Sequence, residues 1–230
     1  MPPPVPFDAG MGAELKTVGA AWRDFIRRRS PRLLGALIVA ALALRLALGD
    51  WGWPDLVAAA AMVVVYPFGE WAIHVYLLHL RPFRLRGKDV ELPTSRSHRQ
   101  HHERPMHMGL ILLGPVEVAL LGGLAVPLVL AAGAVLVWPL AGALSVGPFV
   151  TAALTGYVLI AVYEWTHFLI HTAYRPRSRA YRTVWRTHRL HHFKNERYWH
   201  GITNTVADRV FGTLPDHRDV ERSPTARTLG

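Results

Sequence analysis

Residues 56–80 read LVAAAAMVVVYPFGEWAIHVYLLHL, an apolar run without lysine or arginine that is long enough to cross a bilayer as a helix. A second tract, from Gly109 to Tyr174, is apolar for longer than one crossing needs and is punctuated by Pro139, Gly142, Gly147 and Pro148. At a rise of about 1.5 Å per residue a crossing takes roughly 20 residues, so this tract divides into two helices joined by a tight turn. A shorter apolar run completes the set. The expected fold is all-α: an integral membrane four-helix bundle of two transmembrane hairpins, with spans at about 33–49, 56–80, 112–138 and 149–172. Pro67 is expected to kink the second span, and Arg45 to snorkel from the end of the first.

Of the 230 residues 51% are hydrophobic, and 26 Lys and Arg against 16 Asp and Glu leave a net charge of +10. The loop between the hairpins holds Arg81, Arg84, Arg86, Lys88, Arg96, Arg99 and Arg104, and the chain after Tyr174 is rich in arginine. The turns at 50–55 and 139–148 hold no lysine or arginine. By the positive-inside rule both termini and the long middle loop face the cytoplasm. The basic excess thus reflects topology and contact with anionic headgroups, not nucleic acid. The start, MPPPVPFDAG, lacks the pattern of a signal peptide, and Arg27 to Arg29 ahead of an apolar run suit an uncleaved anchor. Between Ala13 and Arg29, Leu15, Val18, Trp22, Phe25 and Ile26 recur at helical spacing, which fits either an interfacial helix or a lead-in to the first span.

The chain carries 13 histidines and no cysteine, so any metal site must use nitrogen and oxygen donors. By the same rise per residue, His74 and His79 in the second span and His167 and His171 in the fourth come to one boundary. The loop supplies His98, His101, His102 and His107, and the following chain His188, His191, His192 and His200. His167 and His171 are four apart and share a helix face. His98, His101 and His102 repeat the spacing of His188, His191 and His192. His74 and His79 are five apart, so a π-bulge or a fraying helix end is required for both to bind. Neutral imidazole suits iron, zinc, copper or nickel, and ten such nitrogens exceed the needs of one ion, so two metals are expected. Glu70 and Glu164 precede the span histidines; they are expected to orient ligands, to bind arginine or to be protonated.

HVYLLH, HRQHH, HFLIH and HRLHH, followed by FKNERYWHGITNTVADRVFGT, closely resemble the fatty acid hydroxylase and sterol desaturase superfamily of membrane oxygenases, most of all the fatty acid 2-hydroxylase pattern. HRLHH is also similar to carotenoid hydroxylases. The resemblance implies two iron ions (replaceable by zinc in a purified sample) held by His74, His79, His98, His101, His102, His167, His171, His188, His191 and His192. It implies O2 as co-substrate, a lipid substrate to be hydroxylated or desaturated, and a separate electron donor such as a ferredoxin, cytochrome or reductase. His107 and His200 flank the motifs as candidates for catalytic proton handling. In this frame residues 1–30 are a Pro-rich start and interfacial helix. Residues 31–216 are the membrane domain, with a cytoplasmic histidine-rich helical cap formed by 81–108 and 175–216. Residues 217–230 are a flexible tail with His217 in solvent. Oligomeric state has no sequence signal.

Two rival readings are weaker. A metal carrier would place its site near the bilayer midplane. A zinc hydrolase on HHERPMH lacks the second histidine of H-E-x-x-H, since Met106 stands there and Pro105 breaks the helix. No G-x-S-x-G elbow is present for a catalytic triad.

Overall fold

The computed structural model describes residues 11–120 and 146–229. Its helices are α1 (Val18–Phe25), α2 (Arg29–Leu48), α3 (Trp53–Ala72), α4 (Pro93–Glu103), α5 (Pro115–Leu120), α6 (Val146–Ile170), α7 (Arg179–Phe193) and α8 (Val206–Val210). A π-helical segment, Ile73–Leu78, continues α3. Local chemistry sets several boundaries. Gly49 closes α2 in the left-handed conformation at φ 69°, Pro93 occupies the first turn of α4, and Ser178 caps α7 by accepting from Tyr181 N at 3.2 Å.

The helical expectation has one exception. Strands β1 (Phe83–Leu85) and β2 (Lys88–Val90) pair antiparallel in the middle loop. Arg86 and Gly87 turn between them with positive φ, the geometry of a two-residue hairpin that matches strand twist.

Among the described residues, three helical segments are long and apolar enough to span a membrane: Arg29–Leu48, Trp53–Leu78 and Val146–Ile170. They correspond to three of the four expected spans. Pro67 lies inside α3 without ending it. The remaining expected span, 112–138, falls mostly outside the described residues, of which α5 is the described portion. The spans leave large apolar side chains uncovered, among them Val39 at 66% and Leu56 at 74% exposure. Apolar surface of that extent is at home against lipid.

The chain forms two compact units. Among the described residues, one comprises 26–66, 113–120 and 146–164, the other 11–25, 67–112 and 165–229.

In the first unit Arg45 does not snorkel. It is wholly buried, with Nε donating to Asp55 Oδ1 and Thr151 Oγ1 at 2.9 Å each and Nη1 to Asp50 Oδ1 at 3.0 Å. Trp51 packs its ring 3.9 Å from the guanidinium carbon. Two carboxylates and an aromatic face offset part of the cost of burying this cation. Gly147 lets this cluster close, since a Cβ there would stand 2.7 Å from Asp50 Oδ1. In the same unit Glu164, fully buried, accepts from Ser30 Oγ and from Leu113 N at 2.7 Å, so it ties backbone and helix rather than a histidine ring.

The second unit holds all the clustered histidines. Its apolar core joins Ala21, Phe25, Met108, Ile111, Phe168 and Leu169. α1 buries Ala21 and Phe25 against this core, with Phe25 5.4 Å from Phe168 ring to ring, and leaves Val18 and Trp22 exposed. Gly12 approaches so closely that a Cβ would lie 2.5 Å from the carbonyl oxygen of His171. In residues 217–229, Val220, Ala226 and Leu229 are buried. His217 is partly exposed and faces Arg186 at 3.0 Å.

Removing the cation while keeping its carboxylates should unsettle the first unit most. Arg45→Met is expected to lower the thermal unfolding midpoint in detergent, and Arg45→Met with Asp55→Leu to recover part of the loss. A single variant as stable as the parent would contradict a structural role for the cluster.

Candidate metal centre

The ten histidines of the four motifs converge and sort into two pentads. The first is His74, His79, His98, His102 and His191; the second is His101, His167, His171, His188 and His192. Within each pentad one ring nitrogen per residue lies within 4.8 Å of all the others. Only His79 is less than fully buried.

Helix geometry explains the sorting. On α4, His98 and His102 are one turn apart and turn their Nε2 atoms to within 3.2 Å of each other, while His101 points to the other pentad. On α7 the roles exchange: His188 and His192 meet at 3.0 Å in the second pentad, and His191 goes to the first. Each H-x-x-H-H helix thus lends a pair to one pentad and a single ring to the other. The helix ends complete the sets. His167 and His171 sit at the close of α6. His74 and His79 are reconciled by the π-helical segment, where His79 N bonds His74 O at 3.2 Å across five residues, so the two rings stand 4.9 Å apart. The pentads adjoin through His102 and His192, whose rings stack at 4.1 Å.

Further contacts hold the rings in aim. His74 Nδ1 meets the carbonyl of His200 at 2.6 Å, His191 Nδ1 that of Tyr198 at 2.8 Å and His102 Nδ1 that of Ala226 at 2.9 Å. A ring that donates through Nδ1 must present an unprotonated Nε2. Nε2 atoms also face one another, in His79 and His191 at 3.2 Å and in His171 and His188 at 3.0 Å.

The donor set fits metal. His74 Nε2, both nitrogens of His101, and Nδ1 of His188 and His192 are buried without a hydrogen-bond partner. Buried polar atoms are otherwise satisfied almost everywhere in folded proteins. Burial, followed by the neighbouring imidazoles, pushes His79, His98, His101, His171, His188, His191 and His192 well below the ordinary histidine value. Burial brings His102 down to about 4. The rings are therefore neutral at pH 7 with lone pairs to give. All-imidazole coordination suits iron, zinc, copper or nickel.

Of the two flanking candidates, His200 is buried beside the first pentad, with its ring 5.2 Å from His191 and 5.4 Å from His74. His107 is exposed and belongs to neither pentad, because the chain turns away at Pro105 after α4. Glu70 holds the His200 turn. It accepts from Ile202 N, from Thr203 N at 3.0 Å and from Thr203 Oγ1. Asp208 completes that support by accepting from His200 N at 2.9 Å, Gly201 N at 2.7 Å and Thr213 Oγ1 at 2.6 Å. Burial works against its ionisation, yet these hydrogen bonds keep the Asp208 carboxyl below its ordinary value. Gly201 is needed here, as a Cβ would fall 2.0 Å from the Asn204 carbonyl oxygen. Asp208, Thr213 and the three carbonyls went unassigned from sequence; the signal for the first two lay inside the DRVFGT string.

A cavity of about 300 Å³ reaches His79 and His200 and is walled by Trp71, Val75, Arg81 and Glu196 among others.

Residues 59–213 match the model of the fatty acid hydroxylase family. The chain belongs to this family. It is 28% identical to each of two dihydroceramide fatty acyl 2-hydroxylases of Arabidopsis thaliana, over 67% and 70% of its own length. The matched stretch spans about three-fifths of those relatives, 61% and 62%. A solved structure, full-length scs7p with only its hydroxylase domain visible, superposes with a TM-score of 0.63 at 21% identity, covering 84% of this chain and 68% of that one. That superposition supports a hydroxylase-domain fold for this family member.

The depressed histidines set a pH window for the metal-free protein. The unfolded chain takes up protons from about pH 6.5 downward, whereas folded His102 resists until about pH 4. Stability is therefore full above pH 6.5 and falls as pH drops toward 4, with each such histidine adding a slope of about 1.4 kcal/mol per pH unit. Unfolding midpoints of chelator-treated protein at pH 8, 6 and 4.5 should fall in that order. A flat profile would contradict the buried neutral rings.

Proposed function

We propose that this chain is a membrane-embedded, O2-dependent hydroxylase of a fatty acyl lipid, with one iron ion in each histidine pentad. The observation that carries the reading is the pair of adjoining, buried, all-histidine pentads in a chain of the fatty acid hydroxylase family. The relatives named for dihydroceramide acyl 2-hydroxylation support an acyl chain as substrate and hydroxylation over desaturation. The basic loop and the lysine- and arginine-free turns support a cytoplasmic active site, a cytoplasmic position for both termini and the four-span bundle.

His74, His79, His98, His102 and His191 would hold one ion, and His101, His167, His171, His188 and His192 the other. Iron bound there would supply the redox chemistry for inserting one oxygen atom of O2 into a C–H bond, the other leaving as water with two protons and two electrons, the electrons from a separate donor such as a ferredoxin, cytochrome or reductase. The protein's part is placement. The Nδ1 bonds to carbonyls fix which nitrogen each ring offers and keep the donors from swinging. Burial of nine of the ten rings keeps bulk water from the donors. The cavity offers an approach over His79, with Trp71 and Val75 to pack an apolar chain and Arg81 to meet a polar head. His200 and Asp208 line up behind that approach, where His200 is placed to handle a proton.

Protein purified without air should carry two iron ions per chain, and His191→Ala should lower both iron content and turnover, the latter by 100-fold or more, on the order of a lost metal ligand or its support. With 18O2 and reductant, the hydroxylated lipid should carry the label. Product without label, or an unsaturated product in its place, would overturn the hydroxylase reading.

A further inference from the structure

The two pentads are supported from different parts of the chain. Nδ1 of His74, His191 and His102 in the first pentad is held by carbonyls of His200, Tyr198 and Ala226, all beyond α7. The second pentad takes His101 from α4, His167 from α6 and His188 and His192 from α7, with His171 just past the end of α6. Among these supports the carbonyl of Ala226 stands out, because it belongs to a segment with no regular structure that the sequence marks as a loose tail.

That segment is anchored at several points. Ser223 N donates to Lys194 O at 2.8 Å. Glu196 Oε1 accepts from Ser223 Oγ at 3.1 Å and from Thr225 Oγ1 at 2.7 Å. Farther along, Arg99 of α4 donates to the carbonyl of Leu229 at 3.2 Å, and Arg227 Nε to the carbonyl of His102 itself at 3.3 Å. Val220, Ala226 and Leu229 are buried, so the segment is seated by apolar contacts as well.

We propose that residues 220–229 form a strap that positions His102, so that the metal affinity of the first pentad depends on the strap and that of the second does not. This rests on the reading of both pentads as metal sites. The physical reason is tautomer control. A proton held on Nδ1 by the Ala226 carbonyl leaves Nε2 of His102 bare, 3.2 Å from Nε2 of His98. Without that acceptor the ring is free to rotate or to carry its proton on the wrong nitrogen. Loss of such an outer partner typically weakens metal binding by about 10–100-fold. Glu196 sets the strap through Ser223 and Thr225 and does not itself belong to either pentad. It is a positioning residue.

The test is a titration of the full chain in detergent with zinc after chelation, read as ions bound per chain and their affinities. The parent should bind two ions. Glu196→Ala and a chain ended after Asp219 should keep one tight ion and bind the other about 10–100-fold more weakly. Glu196→Gln, which retains an acceptor for Ser223 and Thr225, should bind both as the parent does. Glu196→Ala leaves the strap's backbone and apolar anchors in place, so the test does not hang on the shortened chain folding. In a His167→Ala background, where the first pentad is the intact one, Glu196→Ala should weaken the ion that remains. Two unchanged ions in both strap variants would overturn the proposal, as would equal weakening at both sites. A parent chain that binds fewer than two ions would instead overturn the two-site reading beneath it.

Discussion

The second unit depends on one constraint: ten imidazoles are gathered in neutral form with their lone pairs turned toward two small volumes. Nothing in an apolar core rewards that arrangement. Facing Nε2 atoms at 3.0–3.2 Å repel unless one carries a proton, and ring nitrogens such as both of His101 are buried with no partner. The Glu70 and Asp208 carboxylates, the carbonyls of Tyr198, His200 and Ala226, and the close approach of Gly12 to His171 all preserve this costly geometry. A cation in each pentad would compensate for it.

The exchange between α4 and α7 gives the arrangement its logic. Because residues three and four apart flank one helix face, H-x-x-H-H cannot serve a single point; it straddles two. Placing two such helices against each other lets each pair one site and complete the other. The π-helical segment after α3 solves the remaining problem, since five residues make a full π-turn and bring His79 back over His74. A regular helix there would send one of the two rings away from the first pentad.

Much of this was legible in the sequence. Hydropathy located three spans that the structure forms, and the five-residue gap in HVYLLH called for a π-bulge or a frayed helix end, of which Ile73–Leu78 takes the π form. Spacing alone showed that the histidines repeat, but not that the repeats divide across two pentads. Arg45 was misread because its distance from a helix end is local information, whereas Asp55 and Thr151 reach it from other helices. The seating of α1 and of residues 220–229 was equally hidden, for carbonyl oxygens carry no residue identity, and Ala226 looks like any small residue in a polar stretch. His107 shows the converse: a histidine near a motif that the chain, turning at Pro105, leaves at the surface.

The most direct test of the account is anomalous diffraction from crystals of the iron-loaded protein, collected on both sides of the iron absorption edge. The account predicts two iron peaks, one within bonding distance of the His74, His79, His98, His102 and His191 rings and the other of the His101, His167, His171, His188 and His192 rings. A single peak, or iron held outside these rings, would contradict it.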